Sequence, residues 1–303
     1  MNIFNFLNRP RWARELKRLA KENQGKPLNL LDDVVFKIML SSKSDDSQEA
    51  LRSLLSACTR RKVSSVQVIN NELTPSYLGG KSPRLDVHVT FNDGETADLE
   101  MQTSKSNDDL RKRAEFYTAM LLAGQLPKGG HYKNLKRVYQ VFFLNFELFP
   151  GRDRFARRYF YQEEIDHDRL SETSEIIFYE LPKLEKRLRS VLDGSIGIEN
   201  LTVEEEWCIY LKYRHEKRAA SLIAQLCEKE EGIMQAEQTV KKVSRDYIKY
   251  VRKMADIKNR IDRASALDYA REEGLREGEK KERQRFIELL DQGLSVEEIK
   301  RRL

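Results

Sequence analysis

The run Arg84-Leu85-Asp86-Val87-His88-Val89-Thr90-Phe91, followed by Asn92-Asp93-Gly94 and then Glu95-Thr96-Ala97-Asp98-Leu99-Glu100-Met101-Gln102, constrains this chain more than any other stretch. Two short segments of strand-like composition flank an Asn-Asp-Gly turn, the pattern of a β-hairpin. Side chains along a strand repeat every second residue, so Glu100 and Gln102 share a face. Pairing about Asp93 brings Asp86 and Glu100 together, since each lies seven residues from it. Two adjacent carboxylates repel unless a cation joins them, and a hard divalent ion suits such a pair. The hairpin therefore predicts half of a metal site. The alternative is a solvent-facing Asp86 and a strand-end Glu100 paired with Arg84 or Lys105.

Further blocks stand on either side in a fixed order: Asp33-Val34-Val35-Phe36-Lys37, Asn71-Glu72-Leu73, Arg113-Ala114-Glu115-Phe116-Tyr117, Gln125-Leu126-Pro127-Lys128-Gly129-Gly130-His131-Tyr132 and Val138-Tyr139-Gln140-Val141-Phe142-Phe143-Leu144. Together with Asp86 and the Glu100-x-Gln102 that follows 14 residues later, they resemble the PD-(D/E)xK nucleases. More narrowly, they resemble the Rpn family of recombination-promoting nucleases, also described as PD-(D/E)xK family transposases. The resemblance is good over residues 28 to 182 and weak elsewhere.

That resemblance implies an α/β fold, a restriction-endonuclease-like core with a mixed central sheet flanked by helices. It implies magnesium or another divalent cation, DNA as partner, and Asp86 and Glu100 as metal ligands. Asp33 joins them, directly or through water, because the first helix of the family points an acid there; capping of the following helix is its other reading, and Asp32 competes for either role. Arg113 and Gln125 match positions on the family's second helix, where they would contact phosphate or a metal-bound water, and Lys37 is a further phosphate contact. As plain surface residues all three would be unremarkable. The wider superfamily has a lysine where this chain has Gln102. Glutamine hydrogen-bonds a water or a phosphate but carries no charge, so a cation from elsewhere would have to serve.

Charge and composition fit this picture. The net charge is +6, but residues 1–30 carry +5, residues 241–303 carry +5, and the middle is acidic at −4. Basic ends around an acidic middle suit a carboxylate site whose phosphodiester substrate is held by flanking arms; solvated helical faces are the plainer account. The three cysteines, Cys58, Cys208 and Cys227, lack metal-ligand spacing and form no disulfide framework. The four histidines, His88, His131, His167 and His215, share no metal spacing either. No apolar run reaches membrane-spanning length, since Val138 to Phe149 is broken by Gln140, Asn145 and Glu147. The start is too short and polar for a signal segment. The expectation is a cytoplasmic chain with no membrane partner.

Three regions are expected: a basic helical arm over 1–30 containing Trp12, a nuclease-like core over 31–182, and a charged helical extension over 183–303. Within the core the pattern predicts helix over 31–56 broken near Ser41 to Ser47, and strand over 63–69. The hairpin and a helix over 107–125 follow, then strands over 138–146, 159–165 and 174–181. No strand signal follows Lys183. In the extension, Val240, Val243, Tyr247, Tyr250, Met254, Ile257, Ile261 and Ala264 step by threes and fours. This is a heptad seam through which the chain would form a homodimer, or else one face of a helix packed on its own domain. Beyond it come a weakly structured stretch at Gly274 to Glu279, a short helix at Phe286 to Asp291, and a cap at Ser295-x-x-Glu298.

The leading functional expectation is a metal-dependent DNA endonuclease of recombination or mobile-element type. The alternatives are a catalytically inactive nuclease-fold module that grips nucleic acid or a partner, and an assembly protein acting through the seam.

Overall fold

The computed structural model describes residues 28–69, 86–105, 109–127 and 129–243, with isolated positions from 248 to 299, chiefly 280–290. The arm over 1–27 with Trp12, the Asn71-Glu72-Leu73 lead-in, Arg84, the seam positions Tyr247, Tyr250, Met254, Ile257, Ile261 and Ala264, and the cap at Ser295 lie outside the described residues.

Two helices open the described chain. Helix α1 (Asp33–Ser41) is capped by Asp32, whose carboxylate accepts from the Val34 N–H, and it buries Val35, Phe36, Met39 and Leu40. Helix α2 (Asp45–Thr59) is capped by Ser44 and carries Asp45 and Asp46 against the positive end of its dipole. Its stripe of Ala50, Leu51, Leu54, Leu55 and Cys58 faces inward, and Arg60, at φ 55°, ends it in the left-handed conformation.

A six-stranded mixed sheet follows: β1 (Val66–Val68), β2 (Val87–Phe91), β3 (Glu95–Gln102), β4 (Val138–Leu144), β5 (Ala156–Tyr159) and β6 (Ser174–Glu180). Its order is β1-β2-β3-β4-β6-β5, with β3, β4 and β6 parallel and the remaining neighbours antiparallel. The β2–β3 turn forms because Asn92 and Gly94 accept positive φ, 46° and 95°. Helix α3 (Leu110–Ala123) makes the crossover from β3 to β4 that a parallel pair requires.

Alternation sorts the side chains of β4 between two layers. Phe142 and Leu144 pack with Leu110 and Ala114 of α3 and with Phe178 of β6. Phe143, on the other face, meets Phe36 of α1 at a ring-centroid distance of 5.7 Å. Strand β4 is buried at all seven positions, as a strand covered on both faces must be.

After the sheet come α4 (Glu185–Leu192), α5 (Val203–Tyr213), α6 (Ala220–Lys229) and α7 (Glu231–Lys242). No strand follows Glu180 among the described residues, as expected. Helix α7 packs on α1 and α2, and α5 packs on α2. Trp207 is fully buried, and its indole N–H donates to Ser53 Oγ at 3.0 Å. Among the described residues one compact unit reaches Ile248, and a second unit begins at Lys249.

Three further expectations are corrected. The strand read over 159–165 lies at Ala156–Tyr159, and beyond it only the isolated bridge Gln162–Arg169 pairs. The heptad seam is interrupted near its start: Val240 is buried on α7, while Val243 is extended (φ −82°, ψ 119°) and ends that helix. In the second unit residues 280–290 are helical, and so are Leu275, Arg276 and Gly278, in the stretch read as weakly structured.

Candidate active site

Hairpin geometry positions the carboxylates. The register pairs Val87 with Leu99, Val89 with Ala97 and Phe91 with Glu95, so one step further sets Asp86 opposite Glu100. Both lie at the carboxyl end of β3, the end where parallel strands in open α/β sheets present their sites. Asp86 accepts a hydrogen bond from the Met101 N–H at 3.3 Å, and its other oxygen meets the Lys37 ammonium at 2.7 Å. Glu100 is 3% exposed. Its Oε2 accepts from the Gln102 amide and from the Arg113 guanidinium, each at 3.3 Å.

A third carboxyl lies one pleat behind. Asp98 shares the face of Glu100 and Gln102, is fully buried, and accepts from Gln140 Nε2 at 2.5 Å. Gln140 is its register partner on β4, and His88 on β2 is the partner on the other side. His88 is thus a buried strand histidine beside this row.

Crowding of acids in a dry place governs their titration. Burial, reinforced by Asp86, pushes the Glu100 carboxyl up to about 7, with Arg113 and Lys37 pulling the other way. Burial and then the charge of Glu100 raise Asp98 well above the ordinary carboxylate range. Such pairs are unfavourable in a protein that has only a fold to maintain, and they cluster where chemistry is done.

The first turn of α1 closes the site. Asp32, Asp33, Asp86, Met101, Gln102, Thr103 and Ser104 line a cavity of about 390 Å³. Asp32 spends its carboxylate on capping, which leaves the exposed Asp33 to face the cavity it shares with Asp86 and Gln102. Among the described residues no group of three His, Cys, Asp or Glu side chains is arranged as a ready metal cage. Magnesium does not need one. It keeps several waters and takes one or two carboxylates, and the donors here are hard oxygens from Asp86 and Glu100 with Asp33 nearby. The donor set fits that ion.

Of the residues expected here, Asp86, Glu100, Gln102, Lys37 and Arg113 come together, and Asp33 lines the adjoining cavity. Lys37 and Arg113 engage the carboxylates themselves, and Glu100 meets Arg113 where Lys105 was the alternative partner. Gln125 is elsewhere. Its amide donates to Lys136 O (3.1 Å) and accepts from the Lys136 N–H (2.7 Å), and it reaches Thr96 near the start of β3. Four residues of strand, about 13 Å, separate Thr96 from Glu100. Gln125 therefore ties the loop before β4 to the sheet. Asp98 and Gln140 were missed, although the two-residue spacing of Asp98 from Glu100 marks them as neighbours on one face.

Residues 30–270 match the family model of the PD-(D/E)XK nuclease family transposase. Neither the curated proteins nor the solved structures gave a match. No helix among the described residues is long and apolar enough to cross a membrane. With the match spanning most of the chain and the fold and carboxylate pair in agreement with it, this protein belongs to the PD-(D/E)XK nuclease family transposases.

Proposed function

We propose that the chain is a magnesium-dependent endonuclease that hydrolyses phosphodiester bonds in DNA, of recombination or mobile-element type. The observation that carries this reading is the convergence of Asp86 and Glu100 from adjacent strands, with Lys37 and Arg113 at their carboxylates. Asp86 and Glu100 hold the cation, and Asp33 adds a ligand directly or through water. When bound, the cation lowers the pKa of a water and stabilises charge on the phosphate.

The remaining work falls to this chain's side chains. Gln102, on the face of Glu100, orients a water or a phosphate oxygen through its amide. It lacks the charge of the superfamily lysine, and Lys37, reaching in from α1 to Asp86, supplies a positive charge from another element. Arg113 is half-enclosed by the Tyr117 and Phe142 rings at 5.8 and 5.9 Å, which holds its guanidinium at Glu100. Once a divalent cation took their place at the carboxylates, these two side chains would be free to meet phosphate oxygens.

A second reading, a module that binds DNA without cutting it, is favoured by one observation: the amide of Gln102 is hydrogen-bonded to Glu100 where a lysine would bring charge. Supercoiled plasmid incubated with the protein in magnesium or in EDTA separates the two. Nicking in magnesium alone supports the nuclease; intact plasmid in both contradicts it.

A further inference from the structure

The opposite end of the sheet carries a surface that the carboxylate site does not use. The amino ends of β4 and β6 and the β2–β3 turn meet the Arg61–Ser65 segment around a cavity of about 620 Å³. A second cavity, of about 800 Å³, shares Arg61, Lys62 and Ser64 with it, and a third of about 280 Å³, which follows the β5 edge from Tyr159 to Arg154 toward the carboxyl end of β6, shares Arg60 with the second. Together the three linings hold nine Arg and Lys side chains against five Asp and Glu. The acids of residues 31–240 outnumber the bases, so this concentration runs against the local composition.

Several of these cations are committed within the fold. Arg61 pairs with Glu95, Arg137 with Glu172, and Arg60 with Glu204 at 3.0 Å. Lys62, Lys136 and Arg154 are exposed, and among the described residues no carboxylate engages any of the three. Ser64, Ser65, Asn92 and Thr173 add polar groups along the same lining.

We infer that this surface binds the phosphate backbone of DNA away from the bond being cut, through Lys62, Lys136 and Arg154 with Arg60 and Arg61 beside them. The chemistry selects a polyanion: the linings run through three adjoining cavities, consist mostly of polar and charged residues, and combine cations with hydroxyl and amide donors as backbone contacts do. A folded protein partner would call for a buried apolar anchor, and Tyr159 is the only aromatic among the three linings. Strand β3 runs from Glu95, in the first cavity, to Gln102, in the carboxylate site. Its seven steps span about 23 Å. Phosphates held by Lys62 and Lys136 are therefore about seven base pairs from the scissile bond, or belong to another duplex, while Arg154, two residues before the Ala156 that pairs with Tyr179, carries the surface along the β5 edge. The inference rests on DNA being the substrate.

The test measures binding of the full chain to a 30-base-pair duplex in EDTA, over a series of salt concentrations. Replacing Lys62, Lys136 and Arg154 by alanine removes exposed charge without breaking an ion pair among the described residues. Each lost phosphate contact should lower the slope of log affinity against log salt by about 0.9, so the triple variant should lose between about two and three. Lys62→Arg with Lys136→Arg should keep the wild-type slope. An unchanged slope in the triple variant overturns the inference, as does a wild type that binds no duplex or that binds poly-glutamate with the same three-residue dependence. Plasmid cutting is scored separately. A wild type that cuts while the triple variant keeps its slope sinks this surface alone, whereas a wild type that binds with the expected slopes and never cuts sinks only the nuclease reading.

Discussion

Replacing Glu100 by glutamine probes the crowding of the carboxylates directly. In the folded, metal-free protein the Glu100 carboxyl titrates near 7 in place of its ordinary 4.5, first through burial and then through Asp86. A carboxyl displaced upward binds its proton more tightly folded than unfolded. Its contribution to stability is therefore greatest at low pH and is lost as pH rises from 4.5 through about 7. At about 1.4 kcal/mol for each tenfold in proton affinity, the wild type should give up about 2 to 3 kcal/mol from this group between pH 5 and pH 8. Glu100→Gln keeps the shape and an acceptor for Arg113 but has no proton to lose. It also relieves Asp98, whose carboxyl is held up partly by the Glu100 charge, and so acts in the same direction. Urea unfolding in EDTA should then show the variant gaining on wild type by about 2 to 3 kcal/mol more at pH 8 than at pH 5. A difference between the proteins that is the same at both pH values, or larger at pH 5, would refute the reasoning.

Other outcomes follow from particular contacts. Gln102→Lys, which places a cation on the Glu100 face, should keep or raise magnesium-dependent nicking, whereas Gln102→Ala and Lys37→Ala should each lower it about tenfold or more; unchanged rates would leave both as structural residues. Gln125→Ala should cost about 0.5 to 1.5 kcal/mol, because its exposed hydrogen bonds to the Lys136 backbone are exchanged for water, with no change in magnesium affinity by calorimetry. Charged residues at Tyr250, Met254 and Ile257 should turn a dimer into a monomer in sedimentation if the seam joins two chains. A wild type already monomeric at micromolar concentration contradicts that reading.

The local parts of the fold and site were legible in the sequence because their causes are local. Asn92 and Gly94 carry the positive φ of the turn, and the turn fixes a register symmetric about Asp93, which is enough to bring Asp86 to Glu100. The nearly continuous apolar character of Val138 to Leu144, broken only by Gln140, announced a strand covered on both faces. What escaped notice depends on residues distant in sequence. Strand β5 contains Arg157 and Arg158, which lie just before the strand expected over 159–165; in the fold Arg158 is neutralised by Glu175 and Glu204, and Arg157 lies 3.8 Å from Glu180. Helices α5 and α7 looked like part of an appendage because nothing in their pattern says that α2 is their partner. Gln125 matched a family position, yet its amide is taken up by the backbone of Lys136, a pairing that only the loop geometry decides. Asp98 could have been found from its spacing alone; Gln140 could not.

The most direct test of the central claim compares plasmid nicking by wild type, Asp86→Ala and Glu100→Ala in magnesium, with circular dichroism confirming that all three are folded. Both substitutions remove a carboxylate from one cluster at the end of β3, outside the apolar core packed around β4. The account predicts magnesium-dependent nicking by wild type and a loss of at least a hundredfold in each folded variant, in the range that removing one transition-state-stabilising group costs. Nicking by both variants at the wild-type rate would contradict it.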